Sequence, residues 1–290
     1  LEPSLDNVPA YDDFGRVVGN WLWEHVVMAP DYGPETHIEI EAKIGTLISP
    51  TSQHERYQTG VLSEAILCPP QRPEHKPRFE SLMSMQQHKL LNEYLNRTAV
   101  MAKEPGRAPV DYAHVREIDT FYELPHQFLT QLHPAIQALY TSPARGEKPR
   151  RPPRVRVTTD QKTKAVKAVI IKTRLADLEI SCPSNSFDYR ISISLETKYP
   201  HPYDILPEHL EKGISTARAK DRLSYTHQRF QVDLTQVTQL ADRASKSHEL
   251  EVEMDAGVLR EEGRKVQQGE ENVYERLVGV FLANVRVINR

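Results

Sequence analysis

His37-Ile-Glu-Ile-Glu-Ala-Lys43, near one end of the chain, and Glu249-Leu-Glu-Val-Glu-Met-Asp255, near the other, alternate charged with apolar residues. In an extended strand successive side chains point to opposite faces. Glu39, Glu41 and Lys43 therefore share one face of the first segment, and Ile38, Ile40 and Ala42 the other. Glu249, Glu251, Glu253 and Asp255 likewise share a face, opposite Leu250, Val252 and Met254. Either segment alone reads as an amphipathic strand with its glutamates in water. If the two acidic faces converge, they form a cage of hard oxygen ligands suited to Mg²⁺ or Mn²⁺.

The intervening chain supplies the opposite charge in the same alternating form. Arg154-Val-Arg-Val157 puts Arg154 and Arg156 on one face, and Lys172 alternates with Arg174 in Ile170-Ile-Lys-Thr-Arg174. Between 188 and 198 one face carries Asp188, Arg190, Ser192, Ser194, Glu196 and Lys198, the other Tyr189, Ile191, Ile193 and Leu195. Arg218, Lys220 and Arg222 share a face, and Arg229 and Asp233 alternate around Phe230, Val232 and Leu234. Two architectures fit. An open sheet or sandwich would show these charges to water, whereas a barrel would turn them inward beneath apolar helices. Two carboxylates about 4 Å apart repel by roughly 4 kcal/mol at an effective dielectric near 20, so an acidic lumen calls for a cation. Clustered Arg and Lys call for an anion. A metal–triphosphate complex meets both demands, but composition and periodicity leave the choice open.

A chain of 290 residues is one large domain or two small ones. Its net charge of −3 does not indicate a general polyanion-binding surface, so any nucleic-acid contact is expected to be local, through a site. Cys68 and Cys182 make neither a disulfide framework nor a zinc spacing, which fits a reducing compartment. No apolar run reaches the length of a membrane span and no signal-peptide pattern opens the chain; the missing first Met points to a trimmed piece. The pattern predicts helices over 12–28, 78–103, 126–140 and 270–288, with a short one within 201–212. It predicts strands over 37–48, 110–124, 154–159, 164–174, 186–199, 216–237 and 247–255, and a Pro- and Arg-rich loop over 142–153. The class is α+β with about eight strands. The scattered histidines read as surface or core residues, no P-loop occurs, and Trp21-Leu-Trp23 reads as packing or, alternatively, a docking surface.

Glu39-Ile-Glu-Ala-Lys43 followed by Ile-Gly, the strand Asp188 to Lys198, the Arg218/Lys220/Arg222 triplet and Glu249-Leu-Glu-Val-Glu253 resemble the motifs of fungal metal-dependent mRNA-capping RNA 5′-triphosphatases. These belong to the triphosphate tunnel metalloenzyme family, and the ordered set of motifs covers the chain from about residue 12 onward. The resemblance implies an α+β fold, an eight-stranded antiparallel β-barrel enclosing a triphosphate tunnel with helices packed on its outside. It implies a single domain over 1–290, with 1–11 as a flexible segment. The implied activity is hydrolysis of the γ-phosphate from the 5′ end of nascent RNA with a divalent metal ion, Mg²⁺ or Mn²⁺, with free nucleoside triphosphates as side substrates.

Carried over by motif, Glu39, Glu41 and Glu253 are metal ligands, with Glu251 among them and Glu249 beside. Glu196 is the glutamate that holds the attacking water. Arg156, Lys172, Arg190, Arg218, Lys220 and Arg222 grip phosphate oxygens, and Asp233 and Thr235 support those basic side chains. Gln231 departs from the family pattern, which has arginine two residues before Asp233, so that support is expected to come from Arg229. The resemblance further implies a nuclear homodimer whose partners are the 5′-triphosphate RNA end and phosphorylated C-terminal repeats of RNA polymerase II or elongation factors, with no membrane. Thiamine triphosphatases, inorganic triphosphatases and class IV adenylate cyclases share Glu-x-Glu-x-Lys and stand as the alternative enzymes. A phosphopeptide-binding adaptor is the non-enzymatic alternative.

Overall fold

The alternating segments become long antiparallel strands in the computed structural model, which describes residues 5, 7, 12–69, 72–124, 126–141, 153–201, 216–242 and 245–290. Strands β1 (Thr36–Ile48), β4 (Asp111–Glu123), β5 (Arg154–Asp160), β6 (Val166–Ser181), β7 (Asp188–Lys198), β8 (Thr216–His227), β9 (Phe230–Gln239) and β10 (Lys246–Met254) run in the order β10-β9-β8-β4-β5-β6-β7-β1. The first and last also pair, Glu41 opposite Glu253 and Lys43 opposite Glu251, so the sheet closes into a barrel. Among the described residues two short strands lie outside this ring: β2 (Ala65–Ile66) on β6, and β3 (Arg78–Glu80) on the far end of β1.

Closure puts the apolar faces outside, where helices cover them. These are α1 (Asp13–Leu22), α2 (Met85–Met101), α3 (Pro134–Thr141), α4 (Ala256–Gln268) and α5 (Tyr274–Ile288). Val18, Leu22, Leu259, Phe281, Leu282 and Val285 pack on Ile40, Ile44, Ile191, Ile193, Leu250 and Val252 in the main core. A second core sets Phe128, Leu129, Leu132 and Ile136 against Val155, Ile171 and Leu195. Trp21 and Trp23 both pack against the main core, Trp23 edge-on to Tyr274 at 5.3 Å. The hydrophobic effect thus holds this barrel from outside, and its interior is left to polar groups.

Several boundaries differ from the sequence expectation. The helix expected from Arg78 begins at Met85, where Ser84 and Gln87 form a capping box, and 78–80 is strand instead. The stretch 216–237 is a hairpin, turning at Gln228 with φ 57°; no Asn-Gly or Asp-Gly marks it. Strand β6 runs to Ser181 rather than 174, bulged near Leu175. Helix α4 falls where the sequence reading places no element, and Gly257 and Gly263 lie within it. Gly263 is there for space: a Cβ would lie 2.5 Å from a Val27 methyl. Asp255, which sequence alternation put on the acidic strand face, caps α4 by accepting from the Val258 amide at 3.0 Å. The expected helix within 201–212 and loop over 142–153 lie, except for His201 and Pro153, outside the described residues, as does most of 1–11.

Candidate functional site: a charged bore

Inside the barrel lies a cavity of about 910 Å³. Register decides its wall, because residues directly opposite in an antiparallel pair point to the same face. Asp233 on β9 stands opposite Glu251 on β10, and Lys43 on β1 opposite Glu251 from the other side. Arg222 stands opposite Thr235, Asp119 opposite Arg218, Phe121 opposite Arg156, and Lys172 opposite Glu196. The acidic segments from the two ends of the chain therefore meet, and the basic strands face them across one lumen.

The opposed charges pair. Arg156 Nη2 donates to Glu196 Oε1 at 2.9 Å. Lys172 contacts Glu39, and lies 3.5 Å from Glu41 and 3.9 Å from Glu196. Arg174 reaches Glu41 at 3.0 Å, Lys43 contacts Glu251, and Arg222 reaches Asp233 at 3.0 Å. Asp119, fully buried, takes Arg218 at 3.2 Å and Lys220 at 3.0 Å and accepts from Thr158 at 2.7 Å. Burial and the nearby Arg222 lower the Lys220 ammonium against the pull of Asp119.

The acids divide into compensated and uncompensated groups. Burial works to raise Glu251, but Lys43 prevails and holds its carboxyl down at about 2. Glu41 is also lowered: burial opposes ionisation, and Lys43 and Lys172 outweigh it. Burial raises Asp233, Glu39 and Glu249 despite Arg222, Lys172 and Lys43 respectively. Glu253 has no hydrogen bond or ion pair among the described residues. Burial, with Asp233, Glu251 and Glu39 adding repulsion, outweighs the pull of Arg222 and pushes it up to about 8. Oxygens of Asp233, Glu251 and Glu253 lie within 4.8 Å of one another. A cluster of hard oxygens that includes a half-buried carboxylate without its own ion pair fits Mg²⁺ or Mn²⁺; a divalent cation would remove the penalty that Glu253 carries.

Most of the residues singled out from the sequence meet here. Glu39, Arg156, Lys172, Glu196, Arg218, Lys220, Arg222, Thr235, Glu249, Glu251 and Glu253 line the cavity. Glu41 and Asp233 sit behind its surface, essentially without exposure, each held by cations. Arg190 does not line it: the guanidinium lies over the Phe79 ring at 4.8 Å, with Asp177 at 3.6 Å. Asp233 is supported by Gln231, which donates to both its oxygens at 3.1 and 3.2 Å, whereas Arg229 is exposed on the hairpin turn. Lys43 and Arg174 lie on charged faces read from the sequence but carry no site role there, and Asp119 and Phe121 are absent from that reading. Glu117-Ile-Asp-Thr-Phe121 carries the same period as the acidic strands, a signal that could have found Asp119.

A family model described as "mRNA capping enzyme, beta chain" matches residues 8–290. The mRNA-capping enzyme subunit beta of Schizosaccharomyces pombe is 35% identical, with 100% of this chain and 85% of that protein covered. Its counterpart in Cryptococcus neoformans is 28% identical, covering 91% of this chain and 58% of that protein. Among solved structures, S. pombe Pct1 RNA triphosphatase superposes with a TM-score of 0.80 at 34% identity, covering 100% of this chain and 97% of that one. The same protein in complex with the Spt5 CTD gives 0.81, with 100% and 98% covered.

Proposed function

This chain belongs to the mRNA capping enzyme beta-chain family, the RNA triphosphatases of mRNA capping, and from that premise we propose that its bore hydrolyses the γ-phosphate of 5′-triphosphate RNA in a metal-dependent reaction. The observation that carries this reading is the opposition of walls. Acidic residues of β1 and β10 face the cations of β5, β6 and β8 across one cavity.

Glu251 and Glu253, with Asp233 behind them and Glu39 and Glu41 from β1, would hold the divalent ion. Bound there, the ion supplies charge neutralisation at the γ-phosphoryl oxygens. Arg156, Lys172, Lys220 and Arg222 take the remaining phosphate charge, which spreads over equatorial oxygens as the anhydride breaks. Glu196 orients the attacking water and accepts its proton; Arg156 at 2.9 Å fixes the carboxylate for that task. Arg190, stacked on Phe79, is assigned a supporting role. Free nucleoside triphosphates carry the same reacting group, so they are expected as side substrates. The setting is nuclear, at nascent transcripts, where a phosphorylated C-terminal repeat segment serves as recruiter, a reading supported by the S. pombe relative's complex with the Spt5 CTD.

The direct test measures phosphate release from 5′-triphosphate RNA with Mn²⁺, with Mg²⁺ and with chelator. Release that depends on metal and disappears in Glu39→Ala and Glu253→Ala, with the fold intact, is the expected result. Release that survives both substitutions sinks the assignment.

A further inference from the structure

Aromatic side chains are scarce on the cavity wall, yet Phe121 and Tyr140 line it together with Pro153 and Ala217. Phe121 on β4 stands opposite Thr216 and Arg156, Ala217 follows on β8, and the Tyr140 hydroxyl from α3 bonds Thr173 at 2.7 Å. The Arg218 guanidinium lies over the Phe121 ring, 5.1 Å from its centroid, anchored on its other side to Asp119. A triphosphate alone has no use for such a surface.

The ladder of cations on β8 gives the bore a direction. Arg222 is tied to Asp233 in the acid cluster, Lys220 comes next, and Arg218 is the rung on the aromatic. At about 3.3 Å per residue the ladder spans roughly 13 Å. A γ-phosphoryl group among the acids therefore leaves the α-phosphate and its nucleoside towards Arg218. From this polarity we infer that Phe121, backed by Arg218, is a stacking platform for the first nucleobase of the RNA, so that the site selects nucleotide-bearing triphosphates over bare ones. The aromatic face supplies base-tolerant stacking, since every nucleobase has a π-face, and Arg218 adds a cation beside the α-phosphate.

This inference rests on the reading of the bore as a triphosphatase site, and a ligand-side comparison separates the two. The measurements are KM for ATP and the inhibition constant of ribose 5-triphosphate as competitor, with Mn²⁺, in the wild-type chain, Phe121→Leu and Phe121→Trp. Wild type is expected to prefer the base-bearing ligand by roughly 5- to 150-fold, the factor that base–aromatic stacking carries. Phe121→Leu, which keeps apolar bulk without a π-face, should lose that preference through KM with little change in kcat. Phe121→Trp should retain it. An unchanged preference in Phe121→Leu, or equal weakening of both ligands, overturns the platform, the latter because Phe121 would then serve only to place Arg218. Wild type that releases no phosphate from triphosphate RNA overturns the underlying reading and the platform with it; normal release with no base preference overturns the platform alone.

Discussion

Glu253 shows most directly what the bore demands of a single residue. Its carboxyl is raised from 4.5 to about 8, so the metal-free native state binds a proton that the unfolded chain releases. Such a group contributes stability fully present below about pH 4.5 and lost as pH rises through 8. Metal-free protein should therefore melt progressively lower between pH 5 and 8, and Glu253→Gln should flatten that slope. A gain of about 3 °C or more at pH 8 is expected for a chain of this size, and an unchanged slope by calorimetry would rule the assignment out. Asp119 makes the complementary case. Replacing it with Ala leaves Arg218 and Lys220 buried or half-buried without their shared partner, which should cost about 3–5 kcal/mol in denaturant titration. Asp119→Asn, which keeps the bond from Thr158, should cost less. Neither residue's role follows from its type alone, because glutamates in alternating strands are ordinarily solvated.

Elements hold these residues in place through a few close approaches. Gly45 on β1 lets the β3 segment cross it: a Cβ there would stand 2.2 Å from the Glu80 carbonyl oxygen and 2.8 Å from Phe79. Gly45→Ala should displace β3 and the Phe79 ring beneath Arg190, lowering the melting temperature while the far part of the barrel persists. Loss of exchange protection confined to residues 78–80 and their β1 partners is the expected signature. Arg56 plays a comparable part from a loop. It forks onto Asp188, with bonds of 3.0 and 2.6 Å, and caps the carbonyls of Asn185 and Cys182. Asp188 also accepts the Leu47 and Cys182 amides, so this carboxylate gathers three segments. Arg56→Ala should destabilise by about 3–5 kcal/mol in a denaturant titration; a loss well below 1 kcal/mol would mean that Asp188 is satisfied by the amides alone. At this scale the sequence was legible where periodicity is strong, as in β1, β7, β10 and α5. It was not legible at Gln228, where a two-residue hairpin turn uses no glycine, or in α4, whose Gly263 answers to Val27 rather than to helix propensity.

For the whole molecule, the ion pairs of the bore are both support and obstacle. Arg156–Glu196, Lys172–Glu39, Arg174–Glu41, Lys43–Glu251 and Arg222–Asp233 neutralise the lumen from within. A ligand must displace some of them, and a cation or an anion alone would leave one wall uncompensated. Mn²⁺ and a non-hydrolysable triphosphate are therefore expected to bind cooperatively, each tightening the other by roughly 5- to 150-fold, a coupling that titration calorimetry measures in both orders. Independent binding would show that the walls do not communicate. The strand faces and the signs of charge they carry are legible in the residue order alone, since side-chain direction in a strand follows from a period of two. The resemblance of its motifs then pointed to a barrel. Which acid meets which cation depends on folding in three dimensions, because register, the bulge near Leu175 and the β1–β10 closure fix partners such as Lys43 and Glu251, 208 residues apart along the chain. It is that closure which gives Glu251 its ion pair with Lys43 and leaves Glu253 without one among the described residues, although the two are of the same type on the same strand face.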